Sequence, residues 1–340
     1  MKYEDQLKAT AQAMLATGKG LLAADESSGT IAKRFDSVGI ENNEESRRLY
    51  RQLLLTAEGN EEFISGIILF DETIRQKDDA GKPFAEVLKQ KGIIPGIKVD
   101  AGAKDLALHE GEKVTEGLDG LRERFAEYAD LGAGFAKWRA VITIGEGLPS
   151  TACIEANTHA LARYAALAQE AGIVPVVEPE VLLDGNHSID ECYEATAETL
   201  KSLFSELEDQ GVLLEGVILK ASMVLSGKDA ATRADIQEVA ERTVKCLKEN
   251  VPANLGGVVF LSGGQGDEEA TAHLDAMNKI GGMPWPLSFS YSRAIQSQVL
   301  KLWAEGEKDK AKAAYLHRAK ANSLAAKGEW SEQFEQGRPY

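Results

Sequence analysis

Short runs of apolar residues recur along the chain at regular intervals, and most are apolar throughout instead of alternating with polar positions. Continuous apolar runs of this length are typical of parallel strands that are covered on both faces of a sheet. We therefore predict eight strands, which span Gly20–Ala24, Ile64–Phe70, Ile93–Val99, Gly134–Val141, Ile173–Val177, Gly216–Lys220, Gly257–Leu261 and Leu287–Tyr291.

The segments between these runs have helical periodicity. Apolar residues fall at i, i+3, i+4 and i+7 within residues 200–207, and a similar spacing recurs within 236–247. Ser188 and Glu191 form a capping box at the head of the first of these helices. A strand followed by a helix, repeated eight times, predicts a single (β/α)8 TIM barrel of the α/β class.

We expect one catalytic domain, residues 1–328, because no Pro/Gly/Ser-rich linker divides the chain. Extra helices flank the barrel at both ends: an amphipathic polar stretch at residues 1–15 and a Lys/Ala-rich stretch at 308–327, which Gly328 ends. Residues 329–340 have no periodicity, so we predict a flexible, mobile C-terminal tail.

The chain has 38 basic and 54 acidic residues and a formal net charge of −16. A field of this sign repels nucleic acid and anionic membranes, so neither is an expected partner. An anionic substrate would have to be met by a local cluster of basic groups. No apolar run is long enough to span a bilayer, and residues 1–15 lack the pattern of a signal peptide.

Cys153, Cys192 and Cys246 are odd in number and widely spaced, which predicts reduced thiols in an intracellular protein. We expect a cytoplasmic location, or the plastid stroma if a transit peptide has been removed. The five histidines have no metal-ligand spacing, so we expect surface or capping positions and no metal site. No Walker, dinucleotide-binding or G-x-S-x-G motif is present, and we expect no cofactor.

The candidate chemistry gathers at the carboxyl ends of the predicted strands, where TIM barrels place their active sites. Three of these ends carry charged pairs at i, i+2, a spacing that puts both side chains on one face of a strand. Structural ion pairs could explain one such pair, but charges at the same end of five strands favour a functional site. The strand ends are Asp25-Glu26-Ser27, Lys98-Val99-Asp100, Lys137-Trp138-Arg139, Glu178-Pro179-Glu180, Lys220, Ser262-Gly263-Gly264 and Tyr291-Ser292-Arg293.

Lysine is the informative residue type at these ends. A lysine surrounded by cations and apolar walls can lose its proton and attack a carbonyl, and the resulting iminium ion accepts electrons when an adjacent C–C bond breaks. Lys220 follows an apolar run, and Lys137 is a candidate cationic neighbour. Glu178 could then shuttle protons and Asp25 could act as a base. Composition alone does not decide which lysine becomes covalently bound.

The loop after the seventh predicted strand, residues 262–266, has glycines that let backbone N–H groups approach an anion. TIM barrels often bind phosphate after strands seven and eight, and Arg293 would supply a bidentate partner there. A Gly-Gly turn alone is a weak signal; its position in the barrel strengthens it.

These residues carry a resemblance to the class I fructose-bisphosphate aldolases, which runs from the N-terminal helix to about Gly328. It rests on seven ordered motifs: GKGLLAADESSG at residues 18–29, GIKVD at 96–100, FAKWR at 135–139, VVEPE at 176–180, ILK at 218–220, FLSGGQ at 260–265 and FSY at 289–291 with Arg293. Three residues depart from the usual pattern. Ala221-Ser222 stand where the family has Pro-Asn after the lysine, and Ser292 stands where it has glycine.

The resemblance implies catalytic roles. Lys220 would form a Schiff base with the keto carbon of dihydroxyacetone phosphate, and Asp25 would take part in C–C cleavage. Glu178 would be the main proton shuttle, assisted by Lys137 and Glu180. Tyr340 matches the family's C-terminal tyrosine, which protonates the enamine.

The resemblance also implies a metal-free reaction on a sugar bisphosphate and a homotetramer. Arg139 would contact the substrate. One phosphate would be held by Ser262, Gly263 and Arg293, with Gly264 and Ser292 beside them. The other would lie near Ser27, Thr30, Arg34 and Lys98.

Two alternatives remain open. A sugar-phosphate isomerase or epimerase would use the carboxylates alone and make no use of Lys220. A non-catalytic scaffold would keep the barrel but would be expected to have lost part of its lysine–carboxylate set, which is complete here.

Overall fold

The computed structural model describes residues 2–340, so Met1 of the predicted domain lies outside the described residues. The strands in this part of the chain are β1 Gly20–Ala24, β2 Ile64–Leu69, β3 Ile94–Lys98, β4 Gly102–Asp105, β5 Lys113–Glu116, β6 Phe135–Ile142, β7 Val174–Val181, β8 Ile218–Ala221, β9 Gly257–Phe260 and β10 Leu287–Tyr291. Eight of them correspond to the predicted strands, and the ends of β1 and β10 agree with the prediction.

The eight predicted strands close into a parallel barrel in the order β1, β2, β3, β6, β7, β8, β9, β10, with β10 returning to β1. All neighbouring pairs in this ring are parallel. Parallel neighbours need crossover connections, which the intervening helices provide. The prediction of a (β/α)8 TIM barrel is therefore confirmed.

Helices surround this barrel on the outside and close one end of it. Their bounds are α1 Glu4–Met14, α2 Ser28–Asp36, α3 Glu44–Thr56, α4 Asp71–Arg75, α5 Phe84–Gln90, α6 Leu121–Asp130, α7 Thr151–Glu170, α8 Ile189–Asp209, α9 Ile236–Asn250, α10 Asp267–Ile280, α11 Arg293–Ala304, α12 Lys308–Ala325 and α13 Glu332–Glu335. The predicted capping box at Ser188 and Glu191 begins α8. Within residues 2–340, no helix is both long enough and apolar enough to cross a membrane.

The amino-terminal end of the barrel is sealed by α1. Apolar side chains of this helix and of the residue after it, Leu15, pack in one cluster with side chains that point into the barrel. Ser65 at the start of β2 donates a hydrogen bond to the Met14 carbonyl. The interior part of the cluster consists of Leu21, Ala23, Ile68, Phe135, Val174, Val176, Ile218 and Val259. A much larger cluster joins the outer face of the sheet to the helices.

Two features differ from the prediction. β7 runs to Val181, past the predicted end at Val177, because Glu178 and Glu180 stay in parallel register with β6. Charges normally mark the end of a buried strand, but here they point into the mouth of the barrel. The antiparallel hairpin of β4 and β5 was not predicted, since its short polar strands carry no periodic signal.

The C-terminal segment also differs from the unpatterned tail that we predicted. Trp330 and Glu335 are buried, and residues 332–335 form α13. The Glu335 carboxylate lies 2.6 Å from Arg318 Nη1 and 3.0 Å from His317 Nε2, and Trp330 Nε1 donates to it at 3.1 Å. These contacts with α12 hold the segment in place, and no local pattern could predict them. The boundary at residue 328 stays a prediction.

We expect Gly96→Ala to destabilise the barrel. A Cβ atom at Gly96 would lie 2.2 Å from the Phe135 ring, which occupies the space left by the missing side chain. Overpacking of this kind costs about 1–3 kcal/mol of the free energy of unfolding, measured by chemical denaturation. Gly29→Ala is the control: it adds a methyl group in open space within α2 and should be neutral or slightly stabilising. Equal stabilities of the two variants would contradict this account of the packing.

Candidate active site

A cleft of about 970 Å³ opens at the carboxyl ends of the barrel strands. Seven basic and five acidic side chains line it, a local excess of two positive charges in a chain whose formal net charge is −16. The expected basic cluster for an anionic substrate is therefore present. The charged lining residues are Asp25, Glu26, Lys33, Arg34, Lys98, Asp100, Lys137, Arg139, Glu178, Glu180, Lys220 and Arg293.

Strand alternation explains why the predicted residues meet. Phe135, Val176 and Ile218 point into the barrel, so the residues two positions further along, Lys137, Glu178 and Lys220, point inward as well. β6 and β7 pair in parallel with Arg139 opposite Glu178, which brings their charged ends to the same level.

The centre of the cleft is a chain of alternating charges. Glu178 Oε1 lies 3.0 Å from Lys220 Nζ, and Glu178 Oε2 lies 3.3 Å from Lys137 Nζ. Lys137 Nζ also lies 2.7 Å from Asp25 Oδ2. Lys137, Glu178 and Lys220 are each exposed by less than a twentieth of their surface. One carboxylate therefore contacts both the candidate nucleophile and its cationic neighbour.

Electrostatics favour the ionised forms of Asp25, Glu178 and Lys137. Burial alone would raise the pKa of Asp25, but the ammonium groups of Lys137 and Lys220 outweigh burial and hold that pKa well below its usual range. The pKa of Glu178 is lowered for the same reason, against burial, by Lys137, Lys220 and Arg139. For Lys137, burial would lower the pKa, but Asp25 and Glu178 raise it above its ordinary value. Asp25 and Glu178 therefore favour the charged form of Lys137.

Two further ion pairs flank the centre. Arg139 Nε donates to Glu180, and Lys98 Nζ lies 2.6 Å from Asp100 Oδ1. The other carboxylate oxygen of Asp100 accepts a hydrogen bond from the backbone N–H of Arg139 at 3.2 Å. Arg139 and Lys98 thus reach the cleft while already paired with carboxylates.

The expected phosphate loop lies beside β9 and β10. Ser262, Gly263, Ser292 and Arg293 line the cleft, and Gly264 is adjacent, with its backbone close to the Arg293 guanidinium. Gly263 has φ 55° and Gly264 φ 92°, conformations that favour glycine. They turn the chain from β9 into α10.

The second expected phosphate region lies on α2. Thr30 and Arg34 of this helix line the cleft together with Ser27 at its N-cap, and the hydroxyl groups of Ser27 and Thr30 are 3.2 Å apart. Lys98 reaches the same cleft from β3. The structure brings together all the predicted lining residues except Gly264 and Tyr340.

Tyr340 lies outside this cleft. Its ring packs edge-on against His317 with centroids 5.8 Å apart, and it lines a separate, smaller cavity with Arg318 and Arg338.

The expectation that all histidines occupy surface or capping positions was wrong for three of them. His187, His273 and His317 are buried. Long-range packing, which residue spacing does not report, buries them.

One lining residue that we did not predict is Ser290. Ser290 lies on β10, two residues before Ser292. It is buried, and its hydroxyl has no hydrogen-bond partner within residues 2–340. The i, i+2 rule applied to strand eight would have found it. Glu26 is also buried at the edge of the cleft, where it pairs with Arg34 and Arg51. Glu26 was named among the charged strand ends, but its pairing with Arg51, which is distant in sequence, has no local signal.

A family model described as fructose-bisphosphate aldolase class-I matches residues 6–339. The chain belongs to the class I fructose-bisphosphate aldolase family. As an enzyme of this family it is a lyase. The resemblance noted in the sequence is thereby confirmed.

Individual relatives support the assignment. A protein of Xanthomonas axonopodis pv. citri, named probable fructose-bisphosphate aldolase class 1, is 64% identical over 96% of this chain and 98% of its own length. Cytosolic fructose-bisphosphate aldolase 5 of Arabidopsis thaliana is 50% identical over 97% of this chain and 93% of its own. The solved Plasmodium falciparum aldolase, in complex with TRAP and a small-molecule inhibitor, matches with a TM-score of 0.95 and 47% identity, covering 97% and 96% of the two chains.

We expect Lys137→Met to lower the free energy of unfolding by about 3–5 kcal/mol at pH 7, because Asp25 and Glu178 lose their shared cation in a buried site. In the wild type, the pKa values of both carboxylates are lower in the folded state than in the unfolded state. This difference stabilises the fold at any pH above the unfolded-state pKa values, and the stabilisation is lost as the pH falls through the folded-state values. In the variant, the folded-state pKa values of Asp25 and Glu178 rise, so these carboxylates accept protons at a higher pH than in the wild type. The difference in the free energy of unfolding between variant and wild type should therefore become smaller as the pH falls from neutrality.

Chemical denaturation at several pH values checks this expectation. Lys228→Met is the matched control, because both side chains of the Lys228–Asp184 pair are exposed, so the pair should contribute little to the free energy of unfolding. A loss in Lys137→Met that does not change with pH would show that the lysine stabilises through packing alone.

Proposed function

We propose that the chain cleaves fructose 1,6-bisphosphate reversibly into dihydroxyacetone phosphate and glyceraldehyde 3-phosphate, through a Schiff base on Lys220. The observation that carries this assignment is the buried Glu178 carboxylate, which contacts the amines of both Lys220 and Lys137. A carboxylate at this distance can accept the proton that Lys220 must lose before it attacks a carbonyl. The reaction needs no metal ion or organic cofactor in this scheme.

The first half of the reaction forms and uses the iminium ion. The neutral Lys220 amine adds to the C2 keto carbon, and the resulting carbinolamine loses water with a proton supplied by Glu178. Asp25 then takes the proton of the C4 hydroxyl. The C3–C4 bond breaks, its electron pair enters the iminium system as an enamine, and C4 leaves as the aldehyde of glyceraldehyde 3-phosphate.

The second half regenerates the enzyme. The enamine accepts a proton at C3 and becomes an iminium ion again, and water adds to C2 to release dihydroxyacetone phosphate and the free Lys220 amine. Lys137 and Glu180 assist Glu178 in these proton transfers. Lys137 does so as a cation that stabilises the ionised forms of Asp25 and Glu178.

The substrate is held at both ends in this scheme. Ser262, Gly263, Gly264 and Arg293 follow β9 and β10, next to the strand of Lys220, and suit the phosphate nearer the keto carbon. Ser27, Thr30, Arg34 and Lys98 lie on the side of β1 and β3 and suit the phosphate at the far end of the sugar. Arg139 contacts the sugar between them.

The proposed role of Tyr340 requires a change of position. Its ring packs on His317 outside the cleft, so protonation of the enamine by Tyr340 needs release of the C-terminal segment from α12. A homotetramer and a cytoplasmic location, the latter in line with the name of the Arabidopsis relative, complete the proposal. Light scattering of the purified protein would measure the subunit number.

The decisive experiment is sodium borohydride reduction in the presence of dihydroxyacetone phosphate, followed by peptide mass mapping. We expect a reduced adduct on Lys220 and loss of activity that chelators do not reproduce. Lys220→Met should form no adduct and should lose activity by roughly 10⁴-fold or more, as expected when a nucleophile is removed. Lys228→Met should keep both adduct and activity.

Other outcomes discriminate among the alternatives. An adduct on Lys98 or Lys137 would keep the Schiff-base chemistry but overturn Lys220 as the nucleophile. Folded protein without any adduct would exclude the proposed mechanism. An isomerase or epimerase would then be tested by proton exchange on sugar phosphates.

We expect Glu178→Gln to lower kcat for fructose 1,6-bisphosphate cleavage by about 10²- to 10⁴-fold, the usual contribution of a proton-transferring side chain. KM should change much less, because glutamine keeps the shape of the residue but cannot exchange protons. Steady-state kinetics check the split between kcat and KM. A variant with normal kcat would assign the proton shuttle to another carboxylate.

A further inference from the structure

The hydroxyl group of Ser292, on the turn between β10 and α11, is fully engaged by protein groups. It donates to Glu26 Oε1 at 2.7 Å and accepts from both terminal nitrogens of Arg34 at 3.1 Å each. Gln296 Nε2 donates to it as well, at 3.2 Å. A serine hydroxyl has one proton and two lone pairs, so no capacity is left for a ligand.

The partners of Ser292 are themselves held firmly. Glu26 is buried, and its carboxylate pairs with Arg34 from α2 and with Arg51 from α3. Burial would raise the pKa of Glu26, but Arg51 and Arg34 outweigh burial and keep the carboxylate ionised. Gln296 donates to the Ala23 carbonyl at 2.7 Å. Ser292 thus connects a rigid, charged network to the surface of the cleft.

Arg34 is the most exposed charged member of this network. The side chains of Glu26 and Arg51 are 4% and 3% exposed, whereas that of Arg34 is 21% exposed and lines the cleft. The contacts with Glu26 and Ser292 leave the Arg34 Nε–H without a partner within residues 2–340. Thr30 of α2 and Ser37 at its C-cap line the cleft as well.

The position of Arg34 in the ring of strands suits the far phosphate of the substrate. A single carbon separates the 1-phosphate from the keto carbon, so this group must stay near Lys220 on β8 and the adjoining loop after β9. The 6-phosphate is at the other end of the sugar. Arg34 follows β1, which β9 and β10 separate from β8.

We propose that Ser292, together with Glu26, is a positioning residue that fixes the Arg34 guanidinium for the 6-phosphate and so sets the preference for bisphosphates over monophosphates. Glycine at this position would supply no such hydroxyl. The inference rests on the proposed function, and it adds a specificity role that belongs to the side chain of Ser292. The Ser292 hydroxyl itself makes no contact with the substrate.

The test compares fructose 1,6-bisphosphate with fructose 1-phosphate, which lacks the 6-phosphate. We expect Ser292→Ala to lower the ratio of the two kcat/KM values roughly tenfold, as for the loss of one hydrogen bond to a charged group. The change should lie in KM for the bisphosphate and not in kcat. Ser292→Thr keeps a hydroxyl and should restore most of the ratio.

Two further variants show whether the effect passes through Arg34. Arg34→Ala should lower the same ratio at least as much, and adding Ser292→Ala to it should lower the ratio no further, because residues that act as a unit are not additive. Ser297→Ala is the matched control. Its hydroxyl bonds only to the Arg293 carbonyl on the exposed face of α11, and the ratio should not change.

An equal loss on both substrates in Ser292→Ala, or additive losses in the double variant, would overturn the inference and make Ser292 a structural residue of the turn. These outcomes are distinct from failure of the proposed function. In that case the wild-type protein itself would cleave neither sugar and form no borohydride adduct on Lys220.

Discussion

The Glu178 carboxylate is buried between two lysine ammonium groups, and the arrangement at the mouth of the barrel depends on it. A charge removed from water is costly unless partners surround it, and Glu178 meets this condition through Lys220 at 3.0 Å and Lys137 at 3.3 Å. Asp25 balances the remaining charge of Lys137. Each group holds the next one in place, so contacts within the protein itself set the distances between these charges.

Much of this arrangement could be predicted from the chain alone. Apolar runs identified the barrel strands because both faces of a parallel sheet are covered, and residues such as Lys137 and Glu178 were found because inward positions repeat every second residue. The extent of β7 was underestimated for a related reason. We expected the first charged residue to end β7, whereas Glu180 remains in register with β6 and pairs with Arg139 of that strand.

The rest depends on contacts between residues that are far apart in sequence. Glu26 gains its role from Arg51 and from Ser292, which lies at the opposite end of the chain. Trp330 and Glu335 pack against α12 through a buried arginine, Arg318, in a segment without any periodic pattern. Neither composition nor spacing indicates such pairings. Tertiary packing brings these partners together, and the local sequence carries no trace of it.

The interior of the barrel has two kinds of layer, and α1 covers the apolar one at the amino-terminal end. Below the mouth, side chains such as Val176 and Ile218 form an apolar layer against the helix, whereas most of the side chains in the layer above are charged. Engineering for heat resistance can therefore concentrate on α1 and the lower layers. Better packing there would raise the unfolding temperature without altering the electrostatic field in which bonds are made and broken.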